Sequence, residues 1–165
     1  MKKVGLLMGS KSDFEDLKPC IKVLKKFGIE LEAHVLSAHR TPTEAMEFSA
    51  GAKDNGFGVI ICAAGKAAHL AGVIAAHTVL PVIGIPMKSS TMDGLDSLLS
   101  TVQMPSGIPV ATVAINGSEN AGLLAIQMLA IDNEELSKKL LEYKKNMSEK
   151  IISADADLQK EIENI

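Results

Sequence analysis

The chain has 165 residues, which fits one domain of ordinary size. It is 47% hydrophobic but only 3% aromatic, with no Trp, so the core must be built from Val, Ile, Leu, Ala and Met. A net charge of −3 without a basic face argues against a nucleic-acid partner, and Cys20 and Cys62 offer neither metal-ligand spacing nor a disulfide framework.

Met1-Lys2-Lys3-Val4 runs directly into an apolar stretch that is too short for a signal peptide or a membrane span. The expectation is a soluble, cytoplasmic protein with no membrane partner. Val4 to Met8 is continuous and apolar and reads as a buried strand. Gly9 to Asp13 is the turn after it, and Ser12 with Glu15 has capping-box spacing for a helix running to Gly28. Glu30 to Val35 alternates polar and apolar residues, as a half-exposed edge strand does.

Ser37-Ala38-His39-Arg40 forms the second turn. Thr41, Pro42 and Glu44 then give a cap, a first helical proline and an early acid, so a helix should run to Asn55-Gly56. Val59 to Ala63 is a third strand, and Ala63 to Gly72 is a turn of small residues leading into a helix that ends near His77. Leu80 to Ile85 is the fourth strand, residues 86–91 a loop, and Asp93 to Val102 a helix. Met104 to Pro109 is irregular, Val110 to Ile115 is the fifth strand, and Asn120 to Ile131 is its helix. Asp132 with Glu135 opens a long amphipathic helix with Leu136, Leu140, Tyr143, Met147 and Ile151 along one stripe. This divides a single catalytic domain, 1–165, into a core at 1–131, a C-terminal helix at 132–156 and a tail at 157–165.

Five strands alternating with helices predict a three-layer α/β/α domain with a five-stranded parallel sheet. With the half-exposed strand at the edge, the flavodoxin-like order 2-1-3-4-5 follows. Its crevice lies beyond the carboxyl ends of strands 1 and 3. The turns after strands 1, 2 and 3 therefore converge on one place.

In the first turn Ser10 and Ser12 offer hydroxyls for a phosphate, and Asp13 can accept hydrogen bonds from a ribose diol. Helix capping is the plainer role for Ser12 and Asp13. In the second turn Arg40 has the fork that grips phosphate or carboxylate, with His39 beside it either as a ligand or as a simple turn residue. In the third turn Gly65 and its small neighbours let a ligand approach the backbone, and N–H groups at a helix start attract anions. His69 is the candidate acid/base there, since imidazole ionises near neutral pH. Lys66 can meet an anion or point into water. His34 and His77 read as structural. The spacing of a Walker loop, a dinucleotide fingerprint, a nucleophile elbow and a metal cluster are all missing.

Six stretches stand out in order along the chain: Met8-Gly9-Ser10-Lys11-Ser12-Asp13, Ser37-Ala38-His39-Arg40-Thr41-Pro42, Ala67-Ala68-His69-Leu70, Gly94-Leu95-Asp96-Ser97-Leu98, Val102 to Val110, and Asn120-Ala121-Gly122-Leu123-Leu124-Ala125. Together they resemble the N5-carboxyaminoimidazole ribonucleotide mutase family, the catalytic subunit type of class I phosphoribosylaminoimidazole carboxylase. The resemblance implies conversion of N5-carboxyaminoimidazole ribonucleotide to 4-carboxyaminoimidazole ribonucleotide in purine biosynthesis, without ATP, metal or organic cofactor. It implies that Ser10, Asp13 and Arg40 bind the ribose phosphate, with Ser12 and Ser37 nearby, and that His39, Gly65, Lys66 and Leu70 also face substrate. His69 would be the general acid/base, relaying a proton while CO2 stays trapped beside the imidazole. The resemblance further implies a homo-octamer, with the C-terminal helix and the Met104–Pro109 loop at interfaces, and a functional pairing with an ATP-dependent carboxyaminoimidazole ribonucleotide synthetase.

The chain departs from the family pattern Gly-Gly-Ala-Ala-His-Leu-Pro-Gly at two places. Lys66 stands for the second Gly, so φ there should suit a non-glycine residue, and Ala71 stands for the Pro. A related branch that carboxylates aminoimidazole ribonucleotide with free CO2 reads Ser-Asn-Ala-Leu-Ser where this chain has Ala67-Ala68-His69-Leu70-Ala71. The His-Leu pair and Ser37-Ala38-His39-Arg40 favour the mutase. A nucleotide-binding module without activity is the third alternative.

Overall fold

The computed structural model describes residues 1–90 and 92–165. The chain divides into two compact units, Met1–Leu129 and Ala130–Ile165. The first holds strands β1 (Lys3–Met8), β2 (Leu31–Val35), β3 (Phe57–Gly65), β4 (Val82–Met87) and β5 (Ala111–Thr112). They form one parallel sheet in the order β2-β1-β3-β4-β5, the flavodoxin-like arrangement expected. Between them run α1 (Phe14–Lys26), α2 (Pro42–Gly51), α3 (Leu70–Ala76) and α4 (Leu95–Val102), and α5 (Ser118–Ala130) follows β5.

The strands sort by burial as their sequences require. In β1, Val4 to Met8 are all buried, and β4 is buried throughout, as central parallel strands covered on both faces must be. In the edge strand β2 no residue is fully buried. Strand alternation places Leu7, Ile60, Cys62 and Val82 on one face, in a cluster with Ala45 of α2 and Leu70, Ala71 and Ile74 of α3. On the other face α1 meets α5, where a side chain on Gly122 would strike Val23 and the Cys20 carbonyl. Each fully buried Leu or Ile, such as Leu6, Ile60, Ile61 and Ile83, contributes about 1.5–3 kcal/mol through burial.

Several boundaries differ from the sequence reading for identifiable reasons. The Ser12–Glu15 capping box does not form. Ser10 caps a short 3-10 turn at Lys11–Asp13 instead, α1 starts at Phe14, and Glu15 pairs with Lys18. Thr41 does precede Pro42 at the start of α2, but its hydroxyl turns back to Ser37 rather than capping the helix. β4 extends through Pro86 and Met87, which pair with Ala64 and Gly65, where a loop was expected; Thr91, the end of that loop, lies outside the described residues. β5 is two residues rather than six. Val113 N–H still bonds the Gly84 carbonyl, but Asn116 then adopts φ 54 and Gly117 N–H closes a turn on the Ala114 carbonyl, which ends the ladder.

The second unit carries α6 (Glu134–Glu163), capped by Asn133 rather than Asp132: the Asn133 side chain accepts from Leu136 N–H at 3.0 Å. This helix is 30 residues long and continues through most of the segment expected as a tail. Leu141, Ile151, Ile152, Leu158 and Ile162 are exposed along it. No helix among the described residues is long and apolar enough to cross a membrane.

Gly84 has the least room for a side chain of the glycines in the sheet. A Cβ there would collide with Thr101 Cγ2 of α4 and lie 3.1 Å from Val110 Cγ1. Gly84→Ala is expected to cost about 1–3 kcal/mol, the usual range for overpacking a core. Urea unfolding of the variant measures this, and an unchanged midpoint would contradict the packing.

Candidate active site

At the carboxyl end of the sheet the turns after β1, β2, β3 and β4 surround a cavity of about 560 Å³. This is a ligand-sized volume. Ser10, Ser12, Asp13, Ser37, His39, Arg40, Gly65, Lys66, His69 and Leu70 all line it. The ten residues singled out from sequence are therefore brought together, and the convergence follows from strand order. β1 sits between β2 and β3, so the chain reverses direction at their ends and leaves an opening there.

The β2–α2 turn holds this arrangement together. Ser37 Oγ accepts from the N–H groups of His39 (3.4 Å) and Arg40 (3.2 Å), and Ser37 N–H donates to Thr41 Oγ1 at 2.9 Å. The folded-back turn sends its two functional side chains in different directions. Arg40 Nη2 donates to the Gly9 carbonyl at 2.9 Å, tying this turn to the one after β1. His39 Nε2 lies 2.9 Å from His69 Nδ1, tying it to the one after β3, with the rings edge-on and their centroids 5.0 Å apart.

That contact holds one proton between two nitrogens. When it sits on His39 Nε2, His69 accepts at Nδ1 and carries its own proton on Nε2. When it sits on His69 Nδ1, Nε2 of His69 is a free base. The pair can therefore take up a proton at one end and release one at the other. Sequence reasoning identified both histidines but not their coupling, because no spacing rule links residues 39 and 69.

In the first turn the Ser12 hydroxyl donates to Ser10 Oγ at 2.7 Å and lies 3.4 Å from Asp13 Oδ1. Partial burial pushes the Asp13 carboxyl above its ordinary 3.8, the Ser12 hydroxyl opposes the rise, and Asp16 adds to it. Asp13 is the only carboxylate among the described residues lining the cavity.

The third turn departs furthest from expectation. Lys66 adopts φ 58, the left-handed region, so the site does not suit a non-glycine residue as the sequence reading required. An L-residue with a Cβ costs roughly 1–2 kcal/mol there. The turn is held in place from α4. Ser100 Oγ lies 3.2 Å from the Lys66 carbonyl and accepts from Ala68 N–H at 3.0 Å. His69 N–H bonds the Ala67 carbonyl at 2.9 Å. Two of the N–H groups expected to greet an anion are thus already engaged. Leu70 is 2% exposed and forms part of the cavity floor from within the core, and Ala71 is buried beside it.

Sequence reasoning passed over the turn after β4. Met87, Lys88, Ser89 and Ser90 also line the cavity, Lys88 N–H bonds Asn116 Oδ1 at 2.8 Å, and Lys88 Nζ reaches Asp93 at 3.4 Å. The run of a lysine and two serines at a strand's carboxyl end was the available signal. His34, paired with Glu32 at 2.8 Å, and His77, bonded to the Val73 carbonyl at 2.8 Å, do not line this cavity. Cys20 and Cys62 are buried, and burial pushes both thiols up, that of Cys20 to about 12. Among the described residues no group of three or more His, Cys, Asp or Glu is placed to hold a metal ion.

The sequence pattern of the AIR carboxylase family matches residues 3–150. The chain is 50% identical over 152 residues to an N5-carboxyaminoimidazole ribonucleotide mutase of Thermotoga maritima, covering 92% of this chain and 89% of that one. It is 53% identical over 148 residues to a protein of the same name from Pyrococcus horikoshii, covering 90% and 84%. The crystal structure of Treponema denticola PurE superimposes with a TM-score of 0.84 at 30% identity, covering 94% of this chain and 97% of that one. With the family pattern matched over residues 3–150 and relatives about half identical over nearly the whole length, the chain belongs to the AIR carboxylase family.

Proposed function

We propose that the protein is a mutase converting N5-carboxyaminoimidazole ribonucleotide to 4-carboxyaminoimidazole ribonucleotide in purine biosynthesis. The observation that carries this reading is the 2.9 Å contact between His39 and His69 at a ligand-sized crevice, in a chain about half identical to proteins named for that reaction.

The reaction moves one carboxyl group and one proton. The N–C bond of the carbamate breaks and releases CO2, and the electron pair left on the exocyclic nitrogen takes a proton. C4 of the ring then attacks CO2 to form the new C–C bond, and the proton on C4 is removed. The net proton transfer runs from C4 to the exocyclic nitrogen. His69, acting through its bond to His39, is the acid and base for both steps. The pair returns to its starting state after each turnover. Gly65, Ala64 and Ala67 line the cavity beside it with a small apolar surface suited to uncharged CO2, and holding CO2 against the carbon nucleophile is a proximity effect.

Arg40, Ser10, Ser12 and Ser37 bind the ribose phosphate, and Asp13 accepts from the ribose hydroxyls. Because the substrate is a carbamate, a reaction that spends ATP to carboxylate an amine must supply it, so the protein pairs functionally with such a synthetase in the cytoplasm. The exposed apolar side chains of α6 support assembly of copies into a homo-octamer.

Purified protein should form 4-carboxyaminoimidazole ribonucleotide from the carbamate without ATP or added bicarbonate. Turnover confined to aminoimidazole ribonucleotide plus bicarbonate would contradict the mutase and favour direct carboxylation. His39→Asn and His69→Asn are each expected to lower kcat at least about tenfold, the loss expected for a positioned acid/base group or its partner, while calorimetry still detects ribonucleotide binding. Full activity in either variant would remove that residue from the relay. Arg40→Ala should chiefly raise KM by removing ground-state phosphate binding; a loss confined to kcat would contradict that role.

Asp13 carries a stability consequence with a definite sign. Its folded-state pKa is raised from the 3.8 of an exposed carboxyl, so ionisation costs the folded state. The contribution of Asp13 to stability is greatest below 3.8, falls as pH rises through the raised value, and stays lower above it. Asp13→Asn should therefore melt higher than wild type at pH 7, with the difference vanishing at acid pH, while binding ribonucleotide more weakly. A lower Tm at pH 7 would contradict this.

A further inference from the structure

We infer that Lys66 is the cation that recognises the carboxylate of the ribonucleotide, which makes it a specificity-determining residue of this chain. The inference rests on the mutase reading above and adds to it the group that distinguishes carboxylated from uncarboxylated ligands.

Three observations converge on this residue. Lys66 is held at φ 58, a conformation that glycine adopts freely and lysine does not. The tether to Ser100 keeps the turn in that form, so the strained backbone fixes where the side chain leaves the chain. Among the described residues three cationic side chains line the cavity: Arg40, assigned above to the phosphate; Lys88, paired with Asp93; and Lys66. The Lys66 ammonium has no hydrogen bond or ion pair among the described residues. In the same turn, the Ala68 and His69 N–H groups are engaged internally. The ammonium is thus the cationic side chain of this turn that has no partner among the described residues.

The sheet order decides which anion. Arg40 follows β2 and the Ser10–Asp13 turn follows β1, whereas Lys66 follows β3, on the other side of the opening. A ribonucleotide whose phosphate lies with Arg40 extends its base toward the histidine pair. The migrating carboxylate is at that end, in the same turn as His69. The charge on this group changes during the reaction. It is anionic in substrate and in product and neutral as CO2, so an ammonium beside it binds both end states and contributes nothing to the intermediate. Lys66 therefore acts on binding rather than on the chemical step.

The test compares three ligands on wild type, Lys66→Met, Lys66→Arg and Lys66→Gly. Wild-type turnover of the carbamate is measured first; its absence sinks the mutase reading itself. With turnover present, Lys66→Met should weaken binding of both carboxylated ribonucleotides by about tenfold, the scale of one charge-assisted contact. Affinity for aminoimidazole ribonucleotide should be unchanged and kcat should not fall. Lys66→Arg should keep most of the discrimination. Lys66→Gly should lose the discrimination and melt higher than wild type, because glycine relieves the backbone. Equal weakening for all three ligands, or no weakening for any, would overturn the inference.

Discussion

The site depends on one short turn that reaches two neighbours at once. From between β2 and α2, His39 bonds His69 at 2.9 Å and Arg40 bonds the Gly9 carbonyl at 2.9 Å. Neither contact exists without the other elements being in place. The two side chains are adjacent in sequence and diverge because Ser37 and Thr41 fold the backbone between them. Three turns that belong to separate βα units are thereby joined into one wall. The strand order makes this possible, since only an arrangement with β1 between β2 and β3 puts their carboxyl ends side by side.

Much of this was legible in the sequence, and what was not has a physical explanation. Burial of β1 and exposure of β2 followed from a continuous apolar run against an alternating one, and that contrast alone set the edge of the sheet. The convergence of the turns followed from the edge. Local hydrogen bonds differ from the sequence pattern where two partners compete for one residue. Ser12 was free to cap a helix but bonds Ser10 instead, and Thr41 caps nothing because its hydroxyl closes the Ser37 turn. Val110 to Ile115 is apolar but for Thr112 and predicts a strand of six residues, yet the left-handed Asn116 and the turn at Gly117 end its pairing. No periodicity encodes that.

Lys66 illustrates the same limit from the opposite side. Its replacement of a family glycine was visible in the sequence, but the backbone conformation at that position was not. The left-handed φ of 58 is a conformation that favours glycine, although the residue here is lysine. The fold accommodates the cost because Ser100 holds the turn from α4. Asp13 shows a related compromise, a carboxylate kept in a partly buried place where its own ionisation is opposed. Stability is reduced at both positions, and both face the crevice. Functional sites commonly store strain and unfavourable charge in this way.

The central claim is that one carboxyl group moves within one bound nucleotide, with CO2 held in the crevice between a proton-relaying histidine pair and a small apolar wall. It is tested most directly by following the carbon itself. Substrate labelled with 13C in the carbamate carboxyl would be turned over in unlabelled bicarbonate, and the product read by NMR. Retention of the label at the C4 carboxyl is the result expected. Product carrying carbon from the bulk bicarbonate would contradict the account.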